Sequence, residues 1–203
     1  MAKFYYAVKA GRNPGIYDSW AECEAEVKGY KGAKYKKFDT LDEAKDFIEE
    51  EGDFLRPNNE LKDNEMIAYV DGSFCLDTRT YSYGVVILTT EGKETFSGRE
   101  NNGELAQMRN VAGELKGAMF AMDYAIKKGK DILYIYYDYK GIEEWAKGNW
   151  KTNKDGTKEY KKYYDSIEDR LQVVFIKVRA HSGVEYNEEA DKLAKEAILG
   201  ENS

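Results

Sequence analysis

The chain has 203 residues, which allows one medium domain or two small ones, and a formal net charge of −7. A hydrophobic content of 42% is enough for a core, and no apolar run approaches the roughly 18 residues of a membrane span, which excludes a helical membrane anchor. The two cysteines, Cys23 and Cys75, exclude a disulfide framework and point to a reducing, cytoplasmic setting, as does an N-terminus without an export signal.

Residues 3 to 49 read as a small α+β unit. "KFYYAVKAG" predicts a strand that stops at Gly11, and "GIYDSW" leads into a helix. Ser19 with Glu22, and Thr40 with Glu43, have capping-box spacing at two helix starts. Between the helices, "KGYKGAKYKKF" interleaves five lysines with Tyr30, Tyr35 and Phe38. Taken alone it is equally a solvated basic hairpin or a nucleic-acid surface, with lysines for phosphates and rings for sugars or bases. The net negative charge argues weakly against the second, but charge distribution matters more than the sum. Residues 50 to 65, "EEGDFLRPNNELKDNE", are acidic, aperiodic and broken by Pro57, and read as a linker.

After the linker the pattern changes. "EMIAYVDGS" (65–73), "SYGVVILTT" (82–90) and "KETFSGRE" (93–100) predict three antiparallel strands joined by turns. Apolar residues at helical spacing fill 108–128. "DILYIYYD" is a continuous apolar strand of the kind covered on both faces, and a lysine-rich helical stretch follows. A strand over 172–178 and a closing helix from about Asn187 complete a mixed sheet covered by helices, an α/β architecture.

Four acids fall at telling places in that scheme. Asp71 ends the first of these strands, Glu114 lies beside the apolar face of its helix, Asp138 closes the fourth strand and Asp191 sits in the last helix. Each alone is as readily an ordinary cap or surface acid. As a cluster they could not all stay ionised without a cation, and hard oxygen ligands suit Mg²⁺ or Mn²⁺ rather than zinc. The single histidine, His181, ten residues before Asp191, could shuttle protons near such a site.

"YVDGS", "RNVAGEL", "YIYYD" and "HSGVEYNEEAD", in that order over residues 66 to 199, resemble type 1 ribonuclease H. The N-terminal stretch is similar to the hybrid-binding domain that precedes many such enzymes. The resemblance implies a ribonuclease H-like mixed five-stranded sheet flanked by helices, over residues 66–203. It also implies a hybrid-binding domain over 1–49 and a linker over 50–65. It implies a monomer that cuts the RNA strand of RNA/DNA hybrids with two Mg²⁺ ions, for which Mn²⁺ substitutes, leaving 5′-phosphate and 3′-hydroxyl ends. Asp71, Glu114, Asp138 and Asp191 would hold the metals, with Asp71 and Asp138 around the ion that activates water. His181 would assist proton transfer or product release. Ser73 and Asn110 match positions that contact the nucleic-acid strands near the site, and Trp145, Asn149, Trp150 and Lys151 match a region that grips DNA. Tyr6, Trp20, Tyr35, Lys36 and Lys37 match hybrid contacts of the N-terminal domain. Two other classes stay open on the residues alone: a non-catalytic hybrid- or duplex-RNA-binding protein, and a transposase- or resolvase-like nuclease sharing the sheet.

Overall fold

The computed structural model describes residues 4–49, 61–101, 105–178 and 184–200. The chain divides into two compact units, Met1–Phe54 and Leu55–Ser203.

The N-terminal unit is a three-stranded antiparallel sheet with two helices. Strands β1 (Tyr5–Ala10), β2 (Gly15–Tyr17) and β3 (Lys34–Phe38) stand in the order β2-β1-β3, with α1 (Trp20–Val27) after β2 and α2 (Leu41–Glu49) after β3. Alternation along β1 divides the interior between the two helices. Val8 is fully buried with Cys23 and Val27 of α1, whereas Ala7 faces the side where Phe38 meets Phe47 of α2. Both expected helix starts form: the Glu22 N–H bonds Ser19 Oγ, and Thr40 and Glu43 cap each other reciprocally. The lysine-rich stretch is not a hairpin. Its second half is β3, an edge strand whose partner is β1, about 30 residues earlier in the chain.

The larger unit is built on strands β4 (Glu65–Cys75), β5 (Thr80–Thr89), β6 (Gly92–Glu100), β7 (Ile132–Tyr137) and β8 (Gln172–Lys177). Their order is β6-β5-β4-β7-β8. The first three are antiparallel, and β7 and β8 run parallel to β4. Helix α3 (Asn110–Lys127) covers one face and α6 (Glu185–Leu199) the other, while α4 (Gly141–Ala146) and α5 (Asp155–Asp165) fill the connection from β7 to β8. Period-two alternation sorts the core. Met66, Ala68, Val70, Leu133, Ile135 and Tyr137 pack with Ala112, Leu115 and Met122 of α3. Ile67, Tyr69 and Tyr136 pack on the α6 face around Ala190.

Residues 50 to 60 of the expected linker lie outside the described residues; at its end Leu61 is buried in the α6-side core, and Glu65, 2% exposed, opens β4 where the strand was expected to start. An aperiodic stretch can still end in an anchor: Leu61 packs, and Glu65 accepts from the Lys62 N–H and the Tyr134 hydroxyl.

Both covering helices approach the sheet at backbone distance. A Cβ on Gly113 of α3 would stand 1.9 Å from the Ser82 carbonyl oxygen, and one on Gly72 of β4 would stand 2.3 Å from the Asn110 carbonyl oxygen. Opposite, a Cβ on Gly84 would meet the Ala190 carbonyl oxygen of α6 at 2.1 Å, and Ser82 Oγ donates to Ala194 O at 2.6 Å. Gly117, one turn after Gly113, has room: its added Cβ would meet only side chains at 3.4 Å and beyond. Alanine at these two positions of one helix therefore acts with opposite sign. Gly113→Ala is expected to destabilise by about 3 kcal/mol, through overpacking against backbone that cannot yield. Gly117→Ala is expected to be neutral or to stabilise by up to about 1 kcal/mol, from helix propensity. Urea unfolding of the two variants beside the parent chain checks both.

Candidate active site

The close approach of α3 to β4 delivers two carboxylates to one place. Asp71 lies on β4 beside Gly72, and Glu114 follows Gly113 in the first turns of α3. Asp138 is the first residue past β7, the parallel neighbour of β4, so it emerges next to Asp71 at the same end of the sheet. Carboxylate oxygens of Asp71, Glu114 and Asp138 all lie within 4.8 Å of one another. Asp191, from α6 on the opposite face, lines the same cavity of about 240 Å³. Its Oδ2 is held by Lys195 Nζ at 2.6 Å.

These groups are arranged against their own ionisation. Glu114 is 3% exposed, and burial, followed by repulsion from Asp138 and Asp71, pushes its pKa up to about 9. Asp71 is raised to about 7 by burial first and then by Asp138, although the Gly72 N–H donates to its Oδ1 at 2.7 Å and works the other way. Asn110 Nδ2 reaches Glu114 Oε1 at 3.4 Å.

Residues that the sequence did not single out complete the cavity. Asn187, Glu188 and Lys195 line it, and Asn187 precedes Asp191 by one turn of α6. Asn187 is 3% exposed, and its Oδ1 has no hydrogen-bond partner among the described residues. Positions i±4 from Asp191 were the available clue, since they share its helix face. A second cavity, of about 310 Å³, shares Asn110 with the first and is bounded by Arg109, Tyr139, Trp145, Lys151 and Lys154. Trp145 is half-buried and meets Trp150 edge-on at 5.6 Å. Trp150 is exposed at 40%, and Asn149 and Lys151 beside it are exposed. Ser73 is half-buried on β4, two residues past Asp71 and on the same strand face. His181 lies outside the described residues.

In the N-terminal unit four of the five expected contact residues, Tyr6, Trp20, Tyr35 and Lys37, share one face, and Lys36 does not. Tyr6, Trp20 and Tyr35 make a ladder, with ring centroids 5.9 Å and 5.7 Å apart, and Trp20 and Tyr35 are 44% and 45% exposed. Trp20 is thus not core. Register puts Lys37, opposite Tyr6, on the ladder's face, while Lys36, opposite Ala7, turns to the other face over Phe38.

The family profile described as RNase H matches residues 63–199, and that described as the ribonuclease H1 N-terminal domain matches residues 4–48. Ribonuclease H1 of Mus musculus is 28% identical over an alignment of 256 residues that covers 95% of this chain and 88% of the mouse protein. Ribonuclease H of Wolbachia pipientis wMel is 31% identical over 145 residues, covering 68% of this chain and 99% of its own length. Among solved structures, LC11-RNase H1 in complex with an RNA/DNA hybrid superposes with a TM-score of 0.55 at 21% identity, covering 68% of this chain and 99% of that one. A catalytic-type sheet with clustered acids at its end, preceded by an N-terminal domain of matching type, gives the assignment: the chain belongs to the ribonuclease H family.

Proposed function

We propose that this ribonuclease H is an endonuclease that hydrolyses the RNA strand of RNA/DNA hybrids with two divalent metal ions, leaving 5′-phosphate and 3′-hydroxyl ends. The observation that carries the proposal is the convergence of Asp71, Glu114 and Asp138 within 4.8 Å, with Asp191 on the same cavity. The residues suit a hard divalent cation on two further grounds. The donor set is all oxygen, and both raised carboxyl groups are raised by burial and by one another, a cost that a bound cation removes. Asn187 lines the same cavity, and its buried Oδ1, without a hydrogen-bond partner among the described residues, is an acceptor suited to a water of a hydrated ion.

Asp71, Glu114, Asp138 and Asp191 would hold Mg²⁺, with Mn²⁺ as a substitute. The metal, when bound, supplies charge neutralisation for the phosphodiester and an activated water. The chain's own groups do the rest. Lys195 fixes the Asp191 carboxylate. Asn110 borders both cavities, so it can touch the strand being cut and hold Glu114 at once. Ser73 and Asn110 face a minor groove in which 2′-hydroxyls are accessible, which distinguishes RNA without reading sequence. His181 moves a proton at the leaving or product oxygen. Trp145, Asn149, Trp150 and Lys151 border the second cavity or flank it, and grip the DNA strand. In the N-terminal unit the Tyr6–Trp20–Tyr35 ladder offers ring faces. The edge position of β3 lets Lys36 and Lys37, from opposite faces, both meet a phosphate backbone lying along that edge. All four carboxylates come from one chain, so a monomer suffices.

Three measurements test this. Asp138→Asn keeps the shape and removes one ligand charge. Cleavage of an RNA/DNA hybrid in Mg²⁺ is expected to vanish with hybrid binding retained, and turnover near the parent value would remove Asp138 from the site.

Metal binding should depend on pH in a defined direction. Folded carboxyl groups at about 7 and 9 hold protons that the unfolded chain releases near pH 4. The metal-free fold therefore loses stability as pH rises from about 4 to 9, and a cation, which must displace those protons, binds more tightly over the same interval. The thermal shift produced by Mn²⁺ is expected to be larger at pH 8.5 than at pH 6. An equal or smaller shift at pH 8.5 would contradict the protonated pair.

The N-terminal contacts should separate by salt. Trp20→Ala leaves the Val8–Cys23–Val27 core intact and is expected to cost ~1–3 kcal/mol of hybrid binding with the salt slope unchanged. Replacing Lys36 and Lys37 together is expected to flatten the dependence of log affinity on log salt by up to about two. Titrations at several salt concentrations, with circular dichroism of each variant, distinguish the two effects.

A further inference from the structure

Helix α4 begins three residues after Asp138 and has little means of holding its own position. It is six residues long, and no side chain caps its N-terminus. An isolated helix of that length does not persist, so tertiary contacts must fix it. Two buried tyrosines supply them. Tyr160 of α5 donates to the Ile142 carbonyl at 2.9 Å, and Tyr137, the last residue of β7, donates to Glu143 Oε2 at 2.5 Å.

We propose that the Tyr137–Glu143 hydrogen bond is a clamp that positions the Asp138 carboxylate and so sets the affinity of the site for its cation. This rests on the reading that Asp138 holds a metal ion. The bond spans the short connection containing Asp138. On one side, β8 holds the connection through the Val178 N–H bonded to the Tyr137 carbonyl; on the other, the Ile142 N–H bonds Tyr139 O. The clamp closes the same loop through side chains. Its two halves are built differently. Tyr137 is fully buried in the α3-side core, with Phe175 edge-on at 6.2 Å, so its ring is packed in place. Glu143 is partly exposed and is also held by Lys147, one turn further along. The buried half therefore anchors the more exposed one. A hydroxyl in so apolar a place costs free energy unless it is bonded, and phenylalanine would fill the same space. The hydroxyl contributes a fixed loop geometry rather than packing.

The test uses four variants of the full chain: Tyr137→Phe, Glu143→Ala, the double variant, and Glu143→Gln, which keeps an acceptor for the hydroxyl. Mn²⁺ binding is measured without nucleic acid, by the paramagnetic resonance signal of the free ion, beside urea unfolding and hybrid kinetics. Partners that orient metal ligands are worth about 10–100-fold in affinity or activity, and a clamp one step removed belongs at the lower end. Tyr137→Phe and Glu143→Ala are each expected to weaken Mn²⁺ binding about tenfold, with KM for the hybrid unchanged and the rate recovered at high Mn²⁺. The double variant should be no weaker than either single one, and Glu143→Gln should bind like the parent. Mn²⁺ affinity in Tyr137→Phe equal to that of the parent, whatever happens to stability, would overturn the clamp. A parent chain that binds no Mn²⁺ would overturn the metal reading instead, and that result needs no variant to be seen.

Discussion

The spacing between two helices and one sheet governs everything else in the larger unit. At Gly113 against Ser82, at Gly72 against Asn110 and at Gly84 against Ala190, backbone meets backbone with no space for a single methyl group. Such contacts leave no lateral play, because a helix resting on carbonyl oxygens cannot be repacked by a rotamer change. Glu114 follows one of these glycines and Asp71 precedes another. The same contacts that seat α3 therefore fix the distance between the two carboxylates. On the other face Gly84 seats α6 through Ala190, whose neighbour is Asp191. Three of the four acids are thus placed by glycines.

That placement runs against the preference of the acids themselves. Buried carboxyl groups drawn close together favour protons over charge, and the fold holds them together nonetheless. Hydrogen bonds from Gly72 and Asn110 and the ammonium group of Lys195 offset part of the conflict. The remainder is a local conflict that the packed core on either side is large enough to hold, and sites of this kind are where ligands bind.

Much of this was legible in the sequence, and what was not has physical reasons. The five strands of the larger sheet and its long helices announce themselves because buried faces impose period two or 3.6 on the apolar residues. The capping boxes at Ser19 and Thr40 are local chemistry and formed as spaced. Strands β2 and β3 were missed because three residues are too few to show a period, and because the two rings of "KYKKF" stand three residues apart, on opposite faces of an exposed edge strand, and show no period of two. Leu61 looked like linker because a single anchoring residue has no period at all. Asn187 and Lys195 were hidden for another reason: their part in the site comes from lying one turn either side of Asp191, a relation that matters only once the cavity is known. The resemblance carried the four acids and the aromatic contacts. The clamp of Tyr137 on Glu143 depends on two side chains meeting across a turn, which no spacing rule foretells.

The outermost strand β6 pairs with β5 on one side, and no strand among the described residues pairs with its other edge. Its sequence, "GKETFSGRE", puts charges at both ends, and several are engaged inward: Lys93 with Glu189 of α6, Glu94 with Tyr124 and Lys128, and Glu100 with Tyr81. An open strand flanked by tethered charges is a poor template for a second copy of itself. Two copies of this chain meeting at that edge would have to strip those charges of their partners before pairing strand to strand, so the charges on β6 oppose edge-to-edge aggregation even at high local concentration.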